Sequence, residues 1–417
     1  MPSEFSSEFQ PMERSVATGK RDGTMALLSK RNEPVSGPGS GASEQLRILR
    51  IATDLYPEVL GGGALHAHEL SRVQAEHGHE VTVLTSDHGD SSKPRREERA
   101  GYEIRRYQEV ASPFENSITP GMVPALWRLA EEHDIVHAHS HLYFSTNAAS
   151  AISRLRSTPL VVTNHGLVSQ TAPMAVQRAY APVARLTFDA ADRILCYTET
   201  DRRRLRDRNI KAPITVIHNG IDCEMFTPDA GNERHRRILF VGRLKQTKGI
   251  RQLVDAFAKI ADDVPEVTLF IVGSGPLRSE LETRVAESDL SDRVTFTGPV
   301  PNDELPRIYA ESDVFALPSS AEGFPRTVLE ALACGTPVVT SDLPQLASIV
   351  DAAGVTIPRD DNEALAAGLF RMLTDGGRRE ELGAKGRELV RDRFEWAHTV
   401  DLTTEVYYQI LQRTSCS

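Results

Sequence analysis

The sequence is short of the features that define several large protein classes. It has four cysteines in 417 residues, Cys196, Cys223, Cys334 and Cys416, far apart and in no metal-binding or redox spacing. A disulfide-stapled scaffold and a zinc ribbon are thereby excluded, and reduced structural thiols of a cytoplasmic protein are expected. No apolar run approaches the roughly 18 residues that cross a bilayer. The opening MPSEFSSEFQPMERS has neither a basic stretch nor an apolar one, so no secretion signal is expected. A spaced G-x-G-x-x-G and a P-loop are both missing, which argues against a dinucleotide dehydrogenase and a P-loop NTPase. No D-x-D pair is placed to hold a divalent ion. Positive charge is also scarce: the net charge is −10, which disfavours a nonspecific nucleic-acid binder. The acid is uneven, with about 21 basic and 20 acidic residues over 46–213 against about 22 and 32 over 214–417.

What is there is a long, repetitive α/β pattern. Residues 1–45 are rich in Ser, Gly, Glu and Pro without periodicity and read as a disordered tail. Short apolar, β-branched runs then alternate with helical segments: 46–52, 80–85, 134–139, 160–165, 192–198 and 214–220. After a polar stretch at 228–236 a second series begins, at 237–243, 267–273, 293–298, 313–319, 336–342 and 354–358. Near-continuous apolar strands belong to parallel sheets covered on both faces. The expected architecture is therefore two doubly wound Rossmann-like domains, 46–227 and 228–389, facing across a cleft. The remainder, 390–417, should be a helix packing back toward the first domain.

Three stretches carry chemistry. GGGALHAHEL follows the first strand, where Gly61–Gly63 permit close approach of a ligand to a helix N-terminus. VGRLKQTKGI opens the second series and puts Arg243 and Lys248 just past a strand's carboxyl end, a natural pair of cations for a diphosphate. EGFPRTVLEALACGTPVV sets Glu322 on a loop and Glu330 eight residues on in a helix. Pro325 suits that helix's first turn, and the amides around Arg326 and Thr327 would meet an anion. A carboxylate on either side could take sugar and ribose hydroxyls.

Together with Val272-Gly273-Ser274-Gly275-Pro276, these motifs occur in the order and spacing of the retaining glycosyltransferases of family 4 (GT4), which the chain resembles over about 46–412. The resemblance implies a GT-B fold whose second domain binds a nucleotide-diphosphate sugar and whose first binds the acceptor. It places Arg243 and Lys248 on the diphosphate, Glu330 on the ribose, Glu322 by the donor sugar, Gly62 near the phosphates and Pro299-Val300 in the base pocket. His165, in TNHG, matches a histidine beside the reacting bond. The implied catalytic set is Glu322, His165, Arg243 and Lys248; the donor-binding set adds Gly62, Gly63, Gly273, Gly275, Val300, Gly323, Phe324, Pro325, Arg326, Thr327 and Glu330. No metal or other cofactor is expected. The acceptor is left open among glycan, lipid-linked and small-molecule classes, as are the nucleotide and the sugar. One segment departs from the family pattern: SDLPQLASIV at 341–350 stands where many members carry Gly-Gly and an acid.

Other features have plainer readings. His137, His139 and His141 alternate on a strand, as zinc ligands would, but no carboxylate or cysteine sits at ligand spacing, so cleft lining is preferred. The run from Arg202 to Arg208 reads as a solvated helix face; peripheral contact with anionic lipid headgroups is the alternative. A sugar-nucleotide epimerase or phosphorylase on the same fold, and a non-catalytic sensor, are the rival functions.

Overall fold

The computed structural model describes residues 45–167, 171–228 and 236–415. The tail expected over 1–45 lies outside the described residues save for Gln45, and so does most of the polar stretch 228–236. The first sheet contains β1 (Arg47–Ile51), β2 (Glu80–Ser86), β3 (Arg96–Arg99), β4 (Tyr102–Tyr107), β5 (Ile135–His139), β6 (Leu160–Thr163), β7 (Arg193–Cys196) and β8 (Ile214–Val216). The second contains β9 (Arg237–Val241), β10 (Thr268–Val272), β11 (Val294–Gly298), β12 (Val314–Leu317), β13 (Val338–Ser341) and β14 (Gly354–Ile357). Their orders are β3-β4-β2-β1-β5-β6-β7-β8 and β11-β10-β9-β12-β13-β14, with all pairs parallel except β3–β4.

The inner strands match their apolar runs because helices cover both faces. The expected runs overshoot at their carboxyl ends: β6 stops at Thr163, which frees Asn164 and His165 for the loop. Two strands had no sequence expectation. β3 (REER) and β4 (YEIRRY) are charged because they form the sheet's edge, where one face meets water and β4 is buried only at alternate residues. Their charges pair: Arg106 and Arg99 both reach Glu58, at 2.7 and 2.6 Å.

In each sheet the order reverses beside the first strand, between β1 and β5 and between β9 and β12. Ligands of open parallel sheets bind at such reversals, outside the carboxyl ends. The loops after β1, β5, β9 and β12 are therefore the ones to read for function.

The chain's end divides its packing. Helix Gly376–Phe394 buries Leu382, Val390 and Phe394 in the core of the second sheet. It stops at Glu395, whose backbone is extended, and a second helix, Trp396–Ser415, places Val406, Tyr407 and Ile410 in the core around β1 and β2. The single helical segment expected at the C-terminus is thus the second of two helices, broken at Glu395.

Tyr407 serves an unusual group. Arg50 on β1 is fully buried with no carboxylate partner among the described residues; it donates to Ser71 Oγ at 2.7 Å, Gln74 Oε1 at 2.7 Å and Tyr407 Oη at 3.3 Å. Burial lowers its pKa from the ordinary arginine value. The same phenol bonds His137 Nδ1 at 2.5 Å. Tyr407→Phe leaves two buried polar groups short of a partner and should destabilise the fold by about 1–3 kcal/mol, read from urea denaturation. A loss below about 0.5 kcal/mol, as at an ordinary surface position, would contradict this account.

Candidate active site

The loop after β9 and the loop after β12 meet in the second half. Lys248 Nζ donates to both oxygens of Glu322, at 2.6 and 2.8 Å, and Ser319 Oγ donates to Glu322 Oε1 at 2.6 Å. The Glu322 side chain is 8% exposed, so the pair sits in a medium that strengthens it. Gln345 Nε2 holds the Glu322 carbonyl at 2.6 Å, which gives the divergent SDLPQLASIV segment a contact with this loop. Arg243, by contrast, is exposed and has no ion-pair partner among the described residues.

Glu322 also precedes a helix, Arg326–Ala333. Pro325 lies at the cap rather than inside the first turn, with φ −74° and ψ 109°. Glu330 is buried one turn in; Tyr309 Oη donates to its Oε2 at 2.9 Å and Arg326 Nε to its Oε1 at 3.3 Å. Arg326 Nη1 is buried without a partner. Phe324 stacks its ring on His218, with centroids 5.6 Å apart. Thr327 and Val300 are half-buried, and Gly323 is exposed.

The glycines fall into two groups. Gly62 and Gly63 begin helix Gly62–Glu76 after β1. A Cβ on Gly63 would stand 3.5 Å from His165 Nδ1, and one on Gly62 would stand 3.9 Å from Arg326 Cδ. The helix start is thus approached by a side chain from each half. Gly273 and Gly275 do something else: added Cβ atoms there would meet Gly242 O at 2.1 Å and Leu244 O at 2.5 Å. Their missing side chains let the loop after β10 lie on the loop carrying Arg243.

His165 is held on both ring nitrogens, by Tyr197 Oη at 2.7 Å and His139 Nδ1 at 2.9 Å. Burial pushes its pKa down to about 4, so at neutral pH it bonds as an uncharged imidazole. His137 lies between Tyr407 and Thr163, stacks on His139 at 4.6 Å, and is held neutral by burial. His141 packs on Phe188 and burial lowers it to about 3. The three alternating histidines therefore have separate partners, and among the described residues no group of three or more His, Cys, Asp or Glu is arranged to hold a metal.

Sequence reasoning passed over several neighbours. Tyr197 follows β7 as His165 follows β6, a correspondence visible only once the two strands pair. His66, bonded to Asn219 at 2.9 Å, packs against His139, His165, Tyr197 and Trp396 at 5.2 to 5.6 Å. Asp54, after β1, bonds Tyr143 Oη at 2.8 Å. A cavity of about 430 Å³ joins the halves, with Asp54, Tyr143, His165 and Tyr180 on its walls together with Arg243 from the second half.

The depressed histidines fix a pH dependence. An unfolded imidazole takes a proton near pH 6.5, whereas His165 and His141 refuse one until about pH 4 and about pH 3. The unfolded state binds more protons between those limits, so unfolding free energy should fall as pH drops from 6.5 toward 3. Urea titrations at pH 7, 6, 5 and 4 measure this; constant stability across the series would show that these rings are not buried as neutral groups.

Two family models match adjoining parts of the chain: Glycosyltransferase Family 4 over residues 60–225 and Glycosyl transferases group 1 over residues 225–389. A D-inositol 3-phosphate glycosyltransferase of Kineococcus radiotolerans is 29% identical, over 93% of this chain and 95% of its own. A protein of the same name from Salinispora arenicola is 32% identical over 67% of this chain and 69% of its own. Among solved structures, Anabaena HepE in complex with UDP and glucose superposes with a TM-score of 0.71 at 19% identity, covering 88% of this chain and all of that one. On the two matched models and the 32% identity to a relative covered over 69% of its length, the chain belongs to the group 1, family 4 glycosyltransferases, enzymes of the GT-B fold.

Proposed function

We propose that this nucleotide-sugar-dependent glycosyltransferase transfers its sugar with retention of anomeric configuration and without a metal. The observation that carries the reading is the shared cavity: Arg243 of the second half and His165 of the first line the same space. The second half also supplies the Lys248–Glu322 pair and the helix Arg326–Ala333, whose first residue approaches Gly62.

In this reading the diphosphate lies between Arg243, Lys248 and the free amides at Arg326 and Thr327. Lys248 has three donors and Glu322 takes two, so one is left for a phosphate oxygen. As the sugar–phosphate bond breaks, negative charge grows on the leaving oxygen, and these groups are already aimed at it. They supply the neutralisation that a divalent ion provides elsewhere. The acceptor hydroxyl attacks from the face the diphosphate leaves and passes its proton to the departing phosphate. Glu322, fixed by Lys248 and Ser319, takes donor-sugar hydroxyls; Glu330 takes the ribose with the oxygen that Arg326 holds at 3.3 Å. His165, uncharged, orients the sugar. UDP-sugars are the first donors to try, because the fold neighbour HepE is described with UDP and glucose.

Arg243→Ala and Lys248→Ala should each lower kcat by about a hundredfold to a thousandfold with the fold intact by circular dichroism. Near-normal turnover in either variant would overturn the assignment. Chelation with EDTA should leave the rate unchanged, and product NMR should show the donor's anomeric configuration; inversion would rule out same-face attack. Donor consumed without acceptor would favour the epimerase, and donor bound but never cleaved would favour the sensor.

A further inference from the structure

The cavity between the halves also bears on the acceptor. On its first-half side the charged lining residues are two carboxylates, Asp54 and Glu115, and its permanent cation is Arg243 from the second half. A smaller cavity of about 190 Å³ adjoins it through Asp54, Ser140, Tyr143 and His165, and its lining adds no cation. His139 and His165 border this inner space, and burial keeps both neutral at pH 7.

The carboxylates are built in. Asp54 is tied to Tyr143 at 2.8 Å, and His88 stands 3.5 Å from its other oxygen. Glu115 belongs to a short loop in which Phe114 and Glu115 are both left-handed, with φ 53° and 61°. Two successive non-glycine residues in that region are costly and persist only where the surroundings enforce them. Here Thr171 Oγ1 donates to Phe114 O at 2.7 Å. Asn116 anchors the other side: its Nδ2 donates to Leu142 O at 3.2 Å and its Oδ1 accepts from Phe144 N at 2.9 Å. The strained loop presents a carboxylate and an aromatic ring, Phe114 being 47% exposed, to the cavity that Tyr180 also lines. His139 Nε2, buried and without a partner, is a further polar atom on the inner space.

We infer that the acceptor is an uncharged polyol or saccharide without a phosphate group, its hydroxyls met by Asp54, Glu115 and Tyr143 and its C–H face by Phe114 and Tyr180. The inference rests on the proposed reading, in which Arg243 is engaged by the donor diphosphate. A phosphate monoester would bring a charge of about −1.5 to −2. Beside Asp54 and Glu115 it would find repulsion and no cation of its own. The D-inositol 3-phosphate glycosyltransferases among the relatives have, by their name, a phosphorylated acceptor. This chain would differ from them at the acceptor while sharing the donor site.

The test uses the full chain loaded with UDP, with ligand-observed NMR on matched pairs: myo-inositol against myo-inositol 3-phosphate, and glucose against glucose 6-phosphate. The neutral member of at least one pair should bind about tenfold or more tighter than its phosphate, since two carboxylates face about two charges at short range. In Glu115→Gln, whose exposed side chain poses little risk to folding, that preference should shrink about threefold. Asp54→Asn should shrink it further. Phosphates binding as tightly as their neutral partners, a preference unmoved by both substitutions, or no neutral member binding, would each overturn the inference. UDP affinity is measured first by calorimetry: if UDP does not bind, Arg243 is left free in the cavity and the donor-site reading fails together with the inference, whereas UDP bound without a preference for the neutral members overturns the acceptor assignment alone.

Discussion

The two halves are joined where the chain crosses between them twice and bonds to itself. Ile221 N donates to Phe394 O at 2.7 Å, and Trp396 N donates to Ile221 O at 3.1 Å. Gly220 lies so close to the Trp396 ring that a Cβ there would meet it at 2.5 Å. Much of the cleft hangs from this crossing. Trp396 packs on His66 at 5.2 Å and under the Arg326 guanidinium at 5.9 Å, while Phe324 stacks on His218, which meets Phe394 at a tilt.

The halves divide the electrostatics between them. The first contributes uncharged imidazoles and carboxylates to the shared space; the second contributes Arg243 to it and holds the Lys248–Glu322 pair outside its lining. Burial keeps the imidazoles neutral, and Arg50 adds to this by raising the cost of protonating His66, His137 and His139. A cleft with cations on one wall alone orients an anionic ligand before any specific contact forms. It also keeps the opposite wall free for a partner that brings hydroxyl groups.

Much of the fold was legible because parallel strands buried on both faces must be apolar throughout. Twelve such runs, interrupted by helices, define two sheets, and the structure contains them. β3 and β4 were not legible, since edge strands such as REER and YEIRRY carry charge on the face that meets water. Arg243, Lys248, Glu322 and Glu330 were readable as a set because their chemistry is local to two loops and one helix. Gly273 and Gly275 were readable as special but not as to why: their constraint is another loop's carbonyl, 31 residues earlier in the chain for both.

The sequence by itself determined that there are two parallel sheets, that glycine-rich and basic loops lie at their strand ends, and that the family is glycosyltransferase. Apolar periodicity and short motifs encode these because each depends on neighbours along the chain. The tertiary structure alone decided that Lys248 closes on Glu322, that His165 is wedged between Tyr197 and His139, and that Asp54 and Glu115 border the same space as Arg243. Those partners are separated by 26 to 189 residues, and no local rule of spacing relates them. Only the folding of the two sheets toward one cleft sets their distances, and with them the charge that a substrate would meet.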